Sequence, residues 1–181
     1  VGIPAGRQKS IFDEYGNLEA WKSGPMLQPL WRDSEHNVHA AHQVNPTQTL
    51  REGWMPMPAV EWSPQPGLTL RSEAITIEHE GQPVTLLRHH LHNVSNRRID
   101  GELTLLVRPG QVNPRWQSGG ISLIHDLELE GPTDDTGVRV DGRLLLRSLS
   151  PVQGRGVAGF GEHGEGELTQ TVAWGAPPTA A

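Results

Sequence analysis

Two long runs of alternating apolar and polar residues, LTLRSEAITIEHE and VTLLRHHLHNV, flank Gly81-Gln82-Pro83. Successive side chains of a strand point to opposite faces, so this period of two predicts an antiparallel hairpin with a tight turn. Apolar parity changes from Leu68 and Leu70 to Ile75 and Ile77, which predicts a bulge near Ser72–Glu73 if the apolar groups are all to point inward. Downstream, Ser95-Asn96-Arg97-Arg98 reads as a polar turn, and Leu103, Leu105 and Val107 share one face of a strand that Pro109 should end. In ISLIHDLELE, Ile121, Leu123, His125, Leu127 and Leu129 alternate with Ser122, Asp126, Glu128 and Glu130. Asp141-Gly142 between Val138–Val140 and Leu144–Leu146 is the signature of a type I′ hairpin, whose two central residues need positive φ. A last strand is expected where Leu168, Gln170, Val172 and Trp174 alternate with Thr169, Thr171 and Ala173.

Nearer the N-terminus, IFDEYGNLEAWK folds back at Tyr15-Gly16-Asn17 and predicts a small hairpin over residues 11–22. Residues 23–58 carry Pro25, Pro29, Pro46, Pro56 and Pro58 and little periodicity, so they read as a long structured loop or a set of short edge strands. No helix-length window shows a 3.6-residue period, and the pattern predicts an all-β chain: an antiparallel β-sandwich of about nine or ten strands, supersandwich-like, with little helix. One such domain is expected over residues 1–175, with residues 176–181 as the start of a linker to a following domain.

Composition sharpens this reading. Gly (21) and Pro (15) punctuate a chain of 181 residues densely enough to demand frequent turns. A formal charge of -6 with no basic run argues against a nucleic-acid partner, and no apolar run approaches the roughly 20 residues of a membrane helix. The absence of cysteine excludes disulfides, thiolate metal sites and a thiol nucleophile. It leaves the compartment open, with the extracytoplasmic side favoured.

Candidate chemistry is sparse. His36, His39 and His42 would gather three imidazoles only if their segment were helical, and the neighbouring prolines argue for loop or surface histidines instead. In the strand of the second run, His90 and His92 share a face while His89 takes the other, which makes the first two candidate ligands for a sugar hydroxyl or a metal, although a half-buried strand also accommodates His. Six Trp beside one Tyr and two Phe raise the possibility of stacking on sugar rings; Trp31, Trp54 and Trp116, all in Pro-rich stretches, are the candidates, whereas Trp62 and Trp174 at strand ends read as structural. Asp134-Asp135, Glu128, Glu130, Glu162, Glu165 and Glu167 form no recognisable acid/base pair and read as solvated charge. Asn93-Val94-Ser95 matches a glycosylation acceptor, and Gly154–Gly161 lacks the helix and the Lys-Ser/Thr step of a phosphate loop. No catalytic residue, cofactor or metal site is implied.

The segment from Leu91 to Gly120 contains Arg108-Pro109 followed by Gln111-Val112-Asn113-Pro114, then Trp116-Gln117 and Gly119-Gly120. It resembles a stretch of bacterial proteins containing discoidin or coagulation factor 5/8 type domains, and Glu19-Ala20-Trp21 and Pro58–Trp62 fit the same group. The resemblance implies a β-sandwich beside an α/α toroid of glycosidase type, with the catalytic carboxylates on the toroid. Arg108, Pro109, Gln111, Asn113, Pro114, Trp116 and Gln117 are then an ordered structural loop. The expectation is therefore an accessory domain, without activity of its own, that packs against and shapes a catalytic domain of the same polypeptide. A carbohydrate-binding module using exposed Trp and an aldose-epimerase-like enzyme using His90 or His92 with a carboxylate are the alternatives.

Overall fold

A computed structural model describes residues 1–4, 6, 9–110, 112 and 122–157. They fall into two units, Val1–Ser34 with His39–Ser122, and Glu35–Val38 with Leu123–Ala181.

The larger unit is built from two antiparallel sheets. The first holds β1 (Ile11–Phe12), β2 (Leu18–Glu19), β3 (Met26–Asp33) and β9 (Gly101–Arg108) in that order, with the two-residue β4 (Val38–His39) as its fifth strand. The second is a meander of β5 (Thr47–Arg51), β6 (Met55–Gln65), β7 (Leu68–His79) and β8 (Gln82–Asn93). Their turns carry the expected chemistry: Gly16 between β1 and β2, Glu52-Gly53 between β5 and β6, and Glu80-Gly81 between β7 and β8 all have positive φ. The strand that Pro109 was expected to end does end at Arg108.

Between the sheets lies a core of Trp31 from β3, Trp62 from β6, Leu68 and Leu70 from β7, and Ala41 from a 3-10 turn, Ala41–Gln43. Fully burying each leucine contributes about 1.5–3 kcal/mol. The core reaches Gly101, where an added Cβ would stand 2.2 Å from Trp31 Cζ2 and 2.6 Å from the Arg32 carbonyl oxygen. Only glycine lets β9 lie this close to the indole.

Three expectations need correction. Residues 26–33 are no loop or edge but the central strand of the first sheet, buried over Met26–Trp31 and paired with β9 along its whole length. β2 pairs with β3 only at Met26 and Leu27, so Pro29 lies beyond that ladder and its missing N–H breaks none of its bonds. Second, β7 has no bulge at Ser72–Glu73; its pairing with β8 runs without a shift from Leu68↔Asn93 to His79↔Gln82. The parity change instead puts Ile75 and Ile77 on the outer face, opposite Leu86 and Val84, and the irregularity falls on β6 between Trp62 and Gln65.

The third correction concerns the smaller unit, a sheet of β10 (Leu127–Glu130), β11 (Gly137–Val140) and β12 (Arg143–Arg147). Of the described residues of ISLIHDLELE, only Leu127–Glu130 are strand. The His125 and Asp126 N–H groups donate to the Asp141 carboxylate, each at 2.9 Å, so the Asp141-Gly142 turn captures backbone that the alternation had assigned to a ladder. Both turn residues have positive φ, as that dipeptide predicts. The residues of the expected strand 168–174 lie outside those described.

Candidate functional site

On the outer face of the second sheet, β6, β7 and β8 bring together Glu61, Thr69, Arg71, Glu73, Arg88, His90 and His92. The register makes this inevitable. Arg71 stands between Glu61 on β6 and His90 on β8, Glu73 stands opposite Arg88, and Thr69 opposite His92. Glu61, Thr69, Arg71, Glu73, His90 and His92 line an open depression, together with Leu91 and Val94.

Its charges are largely satisfied among themselves. Arg71 Nε donates to Glu73 Oε1 at 2.8 Å, Arg88 Nη2 donates to Glu73 Oε2 at 2.5 Å, and Arg71 Nη1 lies 3.7 Å from Glu61 Oε2. The Arg88 hydrogen bond, aided by that of Arg71 and opposed by partial burial, holds the Glu73 carboxyl below the usual range. Exposed pairs of this sort contribute about 0.2–1 kcal/mol apiece, so the network orients side chains more than it stabilises the sheet. His90 and His92 are exposed beside it, and neither hydrogen-bonds to a described residue.

On the inner face of the same hairpin, Ser72 Oγ lies 2.8 Å from His89 Nδ1. Burial, with a smaller effect of His90, lowers the His89 imidazole to about 4. Ser72 is only 1% exposed, and His89 Nε2 is buried with no hydrogen-bond partner among the described residues. A Ser-His nucleophile needs an accessible hydroxyl and an orienting group on the far ring nitrogen, and neither requirement is met.

The aromatic candidates separate. Trp31, expected in an exposed loop, is 4% exposed on β3 and its Nε1 donates to Gln65 Oε1 at 3.3 Å. It is a core residue, unfit for stacking on a ligand, because the Pro-rich stretch around it is a strand and not a loop. Trp62 is buried as expected, and Trp54, in the turn after Gly53, is 69% exposed. Trp116 lies outside the described residues, as do Gln111, Asn113, Pro114 and Gln117. Of that motif the structure places Arg108, whose Nη1 donates to Gln28 Oε1 at 2.7 Å, and Pro109, whose carbonyl accepts from Ser122 N at 2.9 Å. Within it Val112 N donates to Glu19 Oε2 at 3.1 Å, and Glu19, 2% exposed, also accepts from Ser23 N at 2.8 Å.

His36, His39 and His42 share no helix: His36 has φ 68, His39 Nε2 lies 2.9 Å from Asp33 Oδ2, and the His42 ring meets Tyr15 edge-on at 6.4 Å. Among the described residues no three His, Asp or Glu side chains converge as a metal site. Asn93 spends its amide locally, donating to Arg97 O at 2.7 Å and accepting from Ser95 N at 2.9 Å. Glu130 is paired with Arg139, and Asp135 with Arg147 at 2.7 Å, in line with structural charge.

Parity alone put His90 and His92 together. The sequence reading missed Glu61, Arg71, Glu73 and Arg88, although Thr69, Arg71 and Glu73 recur at every second position of β7 and so announce a polar face. Both of its carboxylates are paired with arginines, and no hydrogen bond joins either of them to His90 or His92 among the described residues. No family model, no curated protein and no solved structure matches the chain.

Proposed function

We propose that this chain is a non-catalytic accessory β-sandwich of a larger bacterial carbohydrate-active protein, packing through the outer face of β6–β8 against a catalytic domain of the same polypeptide. The observation that carries this is the pair of cross-strand apolar contacts Ile75↔Leu86 and Ile77↔Val84 on that outer face, where Ile77 is 38% and Leu86 37% exposed. Beside them stands the Glu61–Arg71–Glu73–Arg88 network. Covering the apolar end gains burial, and covering the polar end buries few unpaired charges, a combination that suits a contact between domains of one chain. The carbohydrate context and the α/α-toroid identity of the partner rest on the resemblance of Arg108–Gly120.

Two measurements test this. The isolated chain should turn over none of a panel of glycosides, and hydrolysis or phosphorolysis at enzymatic rates would overturn the reading. In the full reading frame, the β7–β8 amides should exchange more slowly with deuterium than in the isolated chain; equal exchange would remove the proposed contact.

Trp54 supports a second reading, a carbohydrate-binding module, because its indole is exposed before any ligand arrives. Calorimetric titration with oligosaccharides decides it: heat lost in Trp54→Ala supports the module, and silence at millimolar ligand disposes of it.

A further inference from the structure

We infer that His90 and His92 form a two-imidazole clamp for a divalent transition-metal ion, Cu(II) foremost, on the outer face of β8. The clamp shares the outer face of β6–β8 with the domain contact proposed above, at its polar end, and is read on this chain by itself. It follows from where the two rings are, what they lack and how firmly their backbone is held.

The residues are two apart in a strand, so both rings leave the same face, roughly 6.5–7 Å apart at the backbone. The intervening Leu91 pairs with Leu70 and turns to the other face. Metal–imidazole bonds are about 2.0–2.1 Å long, and side chains of this reach close on one ion by leaning toward each other. The backbone beneath them is fixed in advance, since β7 and β8 pair from Leu68↔Asn93 to His79↔Gln82 without a shift. Less ordering entropy is then lost on binding than in a loop of the same composition.

Unlike the other groups on this face, these imidazoles are uncommitted. Neither is hydrogen-bonded or ion-paired to a described residue, and both are exposed. The nearest cation, Arg71 opposite His90, is drawn toward Glu73 and Glu61, which offsets its repulsion of a metal ion. Thr69, which carries no charge, stands opposite His92, and solvent can complete the coordination shell of an ion on this exposed face. With two protein ligands the affinity should be modest and follow Cu(II) over Ni(II) and Zn(II).

The test is calorimetric titration of the whole chain with CuSO4 and ZnCl2 at pH 7.5, with circular dichroism to check that each variant keeps its β signature. A single Cu(II) should bind in the micromolar range, and His90→Gln and His92→Gln should each weaken it by at least about tenfold. His125→Gln, on an exposed histidine elsewhere, should not change it. The inference is overturned if no Cu(II) binds at about 1 mM, if only one of the two variants weakens binding, or if neither does.

Discussion

Ser72 and His89 face each other across β7 and β8 with 2.8 Å between Oγ and Nδ1, while the far ring nitrogen of His89 is buried without a partner among the described residues. The imidazole is therefore held neutral inside the sandwich, and one proton would place an uncompensated charge there.

Stability should in consequence depend on pH through His89. Its ionisation is lowered from 6.5 to about 4, so the unfolded chain takes up the proton first as pH falls. The contribution is complete above about pH 6.5, declines between about 6.5 and 4, and is gone below, amounting to about 3 kcal/mol in all. Urea midpoints measured from pH 7.5 to 4 should fall accordingly, and His89→Gln should flatten this part of the profile. An unchanged slope in the variant would show that His89 is not the titrating group.

The two best-placed tryptophans should respond oppositely to truncation. Trp31→Ala empties the core next to Trp62 and Leu70 and should cost about 3–5 kcal/mol. Trp54→Ala removes an indole from an exposed turn and should stay within about 0.5 kcal/mol. Chemical denaturation of both variants measures the contrast directly.

Gly101→Ala should destabilise by about 1–3 kcal/mol, since the new Cβ meets the Trp31 ring and the Arg32 carbonyl oxygen with no flexible group to yield. Gly154→Ala, where a Cβ meets nothing within 4 Å, is the control and should be close to neutral in thermal melts.

Glu19→Ala should cost about 1–3 kcal/mol because it orphans the Ser23 and Val112 N–H groups that its buried carboxylate accepts. Faster amide exchange at both positions would identify the lost bonds as the cause. Glu19→Gln keeps an acceptor oxygen and should lose less.

Much of the local architecture was legible from residue order. The hairpins at Tyr15–Asn17 and at Asp141-Gly142 follow from turn chemistry and short-range alternation, as does the β7–β8 hairpin, although its turn is Glu80-Gly81 and Gln82-Pro83, expected in the turn, open β8; Pro109 marks the end of β9 because it cannot extend a ladder. Parity likewise separated His89 from His90 and His92, since a strand has only two faces. The burial of Trp31 was not legible: it depends on β9 pairing with β3 across Trp31↔Leu103, and on Trp62, Leu68 and Leu70 covering the indole from the other sheet. No local pattern around Pro25 and Pro29 encodes partners so distant in the chain. The same holds for Ile75 and Ile77, whose side was decided by an unbroken register with β8, and for His125 and Asp126, taken out of a strand by the Asp141 carboxylate. Period and turn residues determined which segments extend and where they fold back; which faces are covered, and which polar groups find one another, was decided only by the pairing of distant strands, because burial and hydrogen-bond partners are properties of the assembled sheets.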